Sequence, residues 1–162
     1  MNLREEKGYT YGIGTGFSGG PELGSFRVSS EINKDATAAS VTEVLGELER
    51  YAATGMTEEE YQFLQNAIGQ RDALAYETPG AKLGLLAQIL RYDLPLDYRH
   101  RQQALLRETD RETLNALASR LIKADDIAIV VVGDVPEIRP QLEALGVPIK
   151  VLDEDGFEIP EG

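Results

Sequence analysis

The period of the apolar residues changes twice along these 162 residues, and the order of the changes leaves few folds open. Tyr9–Gly16 and Ser25–Ile32 are rich in aromatic and β-branched residues. Between them stands Ser18-Gly19-Gly20-Pro21-Glu22-Leu23-Gly24, which suits an antiparallel hairpin with a long, glycine-rich turn. In the second strand Phe26, Val28 and Ser30 alternate with Arg27, Ser29 and Glu31, as in a sheet with one face in a core. Helical spacing then takes over. Val41, Val44, Leu45, Leu48 and Tyr51 form a stripe that ends at Gly55, a natural left-handed cap. Thr57-Glu58-Glu59-Glu60 has the form of a capping box, and it opens a helix whose inward face carries Tyr61, Leu64 and Ile68. Pro79-Gly80 breaks that helix, and Leu83, Leu86, Ile89 and Leu90 make a third stripe that stops before Pro95. A fourth stretch runs from Asp97 to Ile122, interrupted near Thr109, where Thr109-Asp110-Arg111-Glu112 reads as a second capping box.

After these helices the period changes again. Ile127–Val132 is a continuous apolar run, β-branched but for Ala128, the pattern of a strand buried on both faces. A short helix from Pro136 to Leu145 and one more strand over Val147–Leu152 complete the order. Strands, helices and strands in this sequence predict an α+β fold, a mostly antiparallel sheet covered on one side by helices. Its single domain spans residues 1–155, with an acidic tail over 156–162.

Residue usage removes several functions. A net charge of -12, with 28 acidic residues against 16 scattered basic ones, opposes binding to nucleic acid or to an anionic membrane surface. No stretch approaches the roughly 20 apolar residues that span a bilayer. With no cysteine there is neither a disulfide nor a thiolate nucleophile or metal ligand. Gly14-Thr15-Gly16-Phe17-Ser18-Gly19 matches GxGxxG, but a dinucleotide site needs a helix to start there, and a strand follows instead. Asp153-Glu154-Asp155-Gly156 would place the first ligand of a calcium loop on Val151, so it reads as solvated acid. His100, the one histidine, sits in Tyr98-Arg99-His100-Arg101 and reads as a surface residue. One imidazole cannot make a self-sufficient zinc hydrolase, and no serine stands on a nucleophile elbow.

What remains is Leu3-Arg4-Glu5-Glu6-Lys7-Gly8-Tyr9-Thr10-Tyr11, in which Arg4 and Tyr11 lie either side of a turn glycine. A guanidinium and a phenol held together can donate hydrogen bonds to one carbonyl oxygen and stabilise the charge it develops under attack, but neither can attack. From these residues alone, an ion-paired arginine and a tyrosine packed in the hairpin is the favoured reading.

The segment LREEKGYTYGIGTGFSG, the second strand, the MTEEEYQFLQNAI helix, the Tyr76-Glu77-Thr78 exit and the DDIAIVVVGD segment together resemble the C-terminal half of the pitrilysin and mitochondrial-processing-peptidase family of zinc peptidases. The resemblance covers Leu3 to Asp155. It implies a two-half peptidase acting on peptides or unfolded proteins. One half would carry zinc in an HxxEH motif, and the other, this one, would lack metal and grip substrate through Arg4 and Tyr11. HxxEH is absent here, so zinc, the water-activating base and hydrolysis are expected in a partner half, on the same or a separate chain. The strand and helix that precede this segment in the family are absent too, so the resemblance implies an N-terminally truncated half. An unpaired sheet edge would follow, and with it a homo-oligomer. The resemblance further points to a bacterial periplasmic or envelope protein, the cytoplasm remaining open. A scaffold or oligomerisation domain of a peptidase-like complex without proteolytic activity is the alternative function, and an independent peptide-binding module a third.

Overall fold

The computed structural model describes residues 8–20, 22–74 and 77–159. Two strands, β1 (Thr10–Gly19) and β2 (Gly24–Ile32), are followed by α1 (Thr37–Thr54), α2 (Glu58–Leu74), α3 (Pro79–Tyr92), α4 (Tyr98–Glu108), α5 (Arg111–Leu121) and α6 (Val135–Glu143). Among the described residues this is an α+β fold with a two-stranded antiparallel sheet and six helices. The chain divides into two compact units. One gathers β1, β2, α1 as far as Leu48 and the chain from Ala124 onward, and the other is built on Glu49–Lys123.

In the first unit β1 and β2 pair as expected, but the strands run further into the turn, with Gly19 opposite Gly24 and Gly20 N–H donating to Leu23 O at 2.8 Å. Phe17 and Phe26 face each other across the ladder with ring centroids 4.9 Å apart. The alternation read in β2 holds at Phe26 and Val28, which are half-buried between exposed neighbours. A 3-10 turn at Lys34–Ala36 leads into α1, and Ala36 of the turn and Thr37, Ser40 and Leu48 of α1 are buried. α6 docks on that turn: Lys34 pairs with Glu137, Gln141 Nε2 donates to Lys34 O at 2.9 Å, and Ile138 is buried. The salt bridge raises the Lys34 pKa, through the Glu137 hydrogen bond first and its charge second.

The second unit is held by caps. Gly55 takes φ +67° after α1, and Thr57 and Glu60 form the expected capping box: Glu60 N–H donates to Thr57 Oγ1 at 3.2 Å and Thr57 N–H to Glu60 Oε2 at 2.8 Å. α2 has Tyr61, Leu64 and Ile68 half-buried, and it reaches the end of α4, where Tyr61 Oη donates to Thr109 O at 3.0 Å and Gln65 Nε2 to Leu106 O at 3.2 Å. Those carbonyls belong to the last turn of a helix, which lacks intrahelical donors.

Four expectations fail. The cap of α5 is Asp110, not Thr109: the Asp110 carboxylate accepts from Thr113 N–H at 2.8 Å, while Thr109 Oγ1 is spent on Leu105 O at 2.6 Å, closing α4. In α3 only Ile89 of the four stripe residues is buried, with Ala81 and Leu85 half-buried beside it. Leu83, Leu86 and Leu90 are exposed. α3 is apolar nearly all round, so its period does not select a face. Finally, Ile127–Val132 takes no regular secondary structure and is unpaired among the described residues, and Val130 and Val132 are 84% and 94% exposed. Val147–Leu152 likewise forms no strand beyond a bridge from Leu152 to Glu158. There Ile159 N–H donates to Val151 O at 2.9 Å, and the Asp153 carboxylate caps the turn through Asp155 and Phe157 N–H.

Candidate functional site

Arg4 and the side chain of Tyr11 lie outside the described residues, so the site is built from the backbone that carries Tyr11 and from what surrounds it in the hairpin. That backbone is irregular at one point. From Gly19 back to Gly12 every β1 residue has a partner, ending with Gly12 opposite Glu31, and the next pair is Thr10 opposite Ile32. Tyr11 is therefore the extra residue of a β-bulge.

The cause lies in two hydroxyls. Thr10 is polar yet only 7% exposed, and a buried hydroxyl must find partners. Its Oγ1 accepts from Gly12 N–H at 3.0 Å, a local turn in which the side chain takes the amide proton two residues on. The same oxygen lies 2.5 Å from Glu31 O, 2.8 Å from Gly12 O and 2.7 Å from Ser30 Oγ, and Ser30 Oγ lies 2.9 Å from Gly12 O. Each hydroxyl has one proton, so the pair shares two protons among these acceptors. Sequence reading singled out Tyr11 and missed Thr10 and Ser30. The only signal was a threonine two places before a glycine, too common to distinguish a bulge from a strand start.

Beyond the bulge, β1 carries Gly12, Gly14, Gly16 and Gly19. Among the described residues, a Cβ at Gly12 or Gly16 would meet nothing within 4 Å, so the face of the strand is uncovered there. A shallow concavity of about 390 Å³ lies on this stretch, lined by residues that include Phe17, Arg27 and Ser29. His100 is exposed on α4 beside Arg99 and Arg101.

The sequence model of the peptidase M16 inactive domain matches residues 1–68, the stretch that holds Arg4, Tyr11, the hairpin and the capping box of α2. No curated protein matches the chain. Among solved structures, the peptidase M16 inactive domain from Pseudomonas fluorescens superposes with a TM-score of 0.69 at 21% identity, over 76% of this chain. The present chain spans 29% of the length of that one. The resemblance drawn from the sequence is thus borne out: over residues 1–68 the chain carries the pattern of the peptidase M16 inactive domain, the non-catalytic C-terminal half of pitrilysin-like peptidases, and it has the fold of one.

Proposed function

We propose that this chain is the substrate-gripping half of a two-half zinc peptidase that acts on extended peptides or unfolded proteins, with Arg4 and Tyr11 as the grip. The observation that carries the reading is the bulge at Tyr11 on a glycine-rich strand, within the stretch matched by the inactive-domain family. An extended peptide could lie along β1 as an added strand, with no side chain in its way where the strand carries Gly14 and Gly16. Arg4 and Tyr11 would then donate hydrogen bonds to one of its carbonyl oxygens, and the zinc and the general base would lie in a homologous half. The test is fluorescence anisotropy with a labelled unstructured peptide. A charge-assisted hydrogen bond is worth about 1.5–3 kcal/mol, so Arg4→Ala should weaken binding about tenfold or more. Equal affinity in the variant refutes the grip.

A scaffold or oligomerisation domain is the second reading, favoured by the exposed valines of Ile127–Val132 and by the absence of any backbone hydrogen bond from that segment among the described residues. Its occupant would be the same segment of a second copy, pairing edge to edge. Light scattering should then give a dimer that Val130→Lys converts to a monomer, and a monomer at high concentration before any substitution refutes it.

A further inference from the structure

We propose that Thr10 and Ser30 are positioning residues, a hydroxyl lock that holds the bulge and thereby sets Tyr11 for the peptide. The proposal rests on the reading of Tyr11 as a peptide-binding residue.

The argument begins with register. Continuing the pairing of Gly12 with Glu31 by one step would set Tyr11 opposite Ile32, and the bulge gives that place to Thr10. The pairing of Thr10 with Ile32 is followed by Asn33 N–H donating to Tyr9 O at 3.0 Å, so the shifted register persists on the far side. Since strand side chains alternate with period two, a one-residue slip reverses the faces of Tyr9 and Thr10 relative to the rest of β1. Tyr11 stands at the point of reversal.

A bulge leaves ladder groups unpaired, and here two hydroxyls take them up. Thr10 Oγ1 accepts the Gly12 N–H and approaches Glu31 O, while Ser30 reaches Gly12 O from the opposite strand. The lock thus spans both strands. Valine has the shape of threonine without the hydroxyl, so Thr10→Val removes these bonds while keeping the volume. Serine at position 10 retains the oxygen.

The test combines backbone NMR of the full chain with the peptide anisotropy assay, in Thr10→Val, Thr10→Ser, Ser30→Ala, Tyr11→Phe and the Thr10→Val/Tyr11→Phe double variant. In Thr10→Val the cross-strand contacts of Thr10 with Ile32 and Gly12 with Glu31 should give way to a regular ladder with Tyr11 opposite Ile32, and peptide binding should weaken about as much as in Tyr11→Phe. Thr10→Ser should keep both register and affinity, and Ser30→Ala should fall between. The double variant should bind no more weakly than the worse single variant, since a displaced Tyr11 has no hydroxyl contact left to lose. An unchanged register in Thr10→Val overturns the lock. Additive losses in the double variant overturn the positioning role, because a merely structural change would act independently of Tyr11. Tyr11→Phe binding as tightly as the unsubstituted chain sinks the reading of Tyr11 and the positioning role with it. That failure is distinct from a failed lock, which is read from the NMR contacts alone.

Discussion

Gly55→Ala should be among the costliest single-atom-group additions to this chain. Gly55 closes α1 at φ +67°, where an L side chain costs about 1–2 kcal/mol by crowding the following carbonyl. Space is a second cost. A Cβ there would lie 2.2 Å from Cγ of Asn115 and 2.5 Å from each of its terminal atoms, closer than real contacts allow. Asn115 can rotate away, but its amide clamps Met56: Oδ1 accepts from Met56 N–H at 2.9 Å and Nδ2 donates to Met56 O at 3.4 Å. Rotation forfeits the stronger of these bonds, worth about 0.5–1.5 kcal/mol net. The total is roughly 2–3 kcal/mol, which for a chain of this size lowers Tm by about 4–12 °C. Urea unfolding and a thermal melt measure it. Asn115→Ala adds a control, since the clash vanishes once the amide is gone: the double variant should cost less than the two single variants summed. A Gly55→Ala chain within about 0.5 kcal/mol of the original, or strict additivity in the double variant, would refute the argument.

Three further substitutions test the packing and the caps. Ser40 is 2% exposed in α1 and its hydroxyl has no hydrogen-bond partner among the described residues, so Ser40→Ala should stabilise by about 1 kcal/mol in denaturant unfolding, from relieved desolvation and better helix propensity. Tyr61→Phe removes the hydroxyl that donates to Thr109 O and should destabilise by about 1 kcal/mol in the same assay. The hydrogen bonds from Thr113 hold the Asp110 carboxyl below its usual range, so its contribution is present above the unfolded carboxylate pKa and is lost as pH falls through the lower folded value. Below about pH 4, Tm should therefore fall less steeply in Asp110→Asn than in the original chain, and parallel curves would refute the cap's role.

How much of this was legible in the sequence depends on whether the deciding interaction is local. The hairpin, Gly55 and the Thr57–Glu60 box were readable because each is settled within a few residues of chain. The cap of α5 was misread by one position for a reason that is also local but competitive: Thr109 and Asp110 are both good caps, and only the closing turn of α4 shows that the threonine hydroxyl is already engaged with Leu105. The site was half legible. Tyr11 stood out by residue type and by its place in a recognisable pattern. The bulge beneath it depends on Ser30, from the other strand, and on a register that no single segment states.

Ile127–Val132 shows the same limit from the opposite side. Its β-branched run was read as a strand buried on both faces, yet two of its valines are almost wholly in water and no ladder forms among the described residues. Such residues gain from a pleated surface with neighbours on either side. Burial, however, is a property of a pair of segments, as is a ladder of hydrogen bonds. A sequence can state what one member of the pair requires, and only the partner strand can supply it. The exposed valines are for that reason the part of this chain whose environment should change most when a partner half or a second copy is added, with amide exchange at Ile129–Val132 slowing while exchange in the β1–β2 hairpin, whose ladder is already closed, stays as it was.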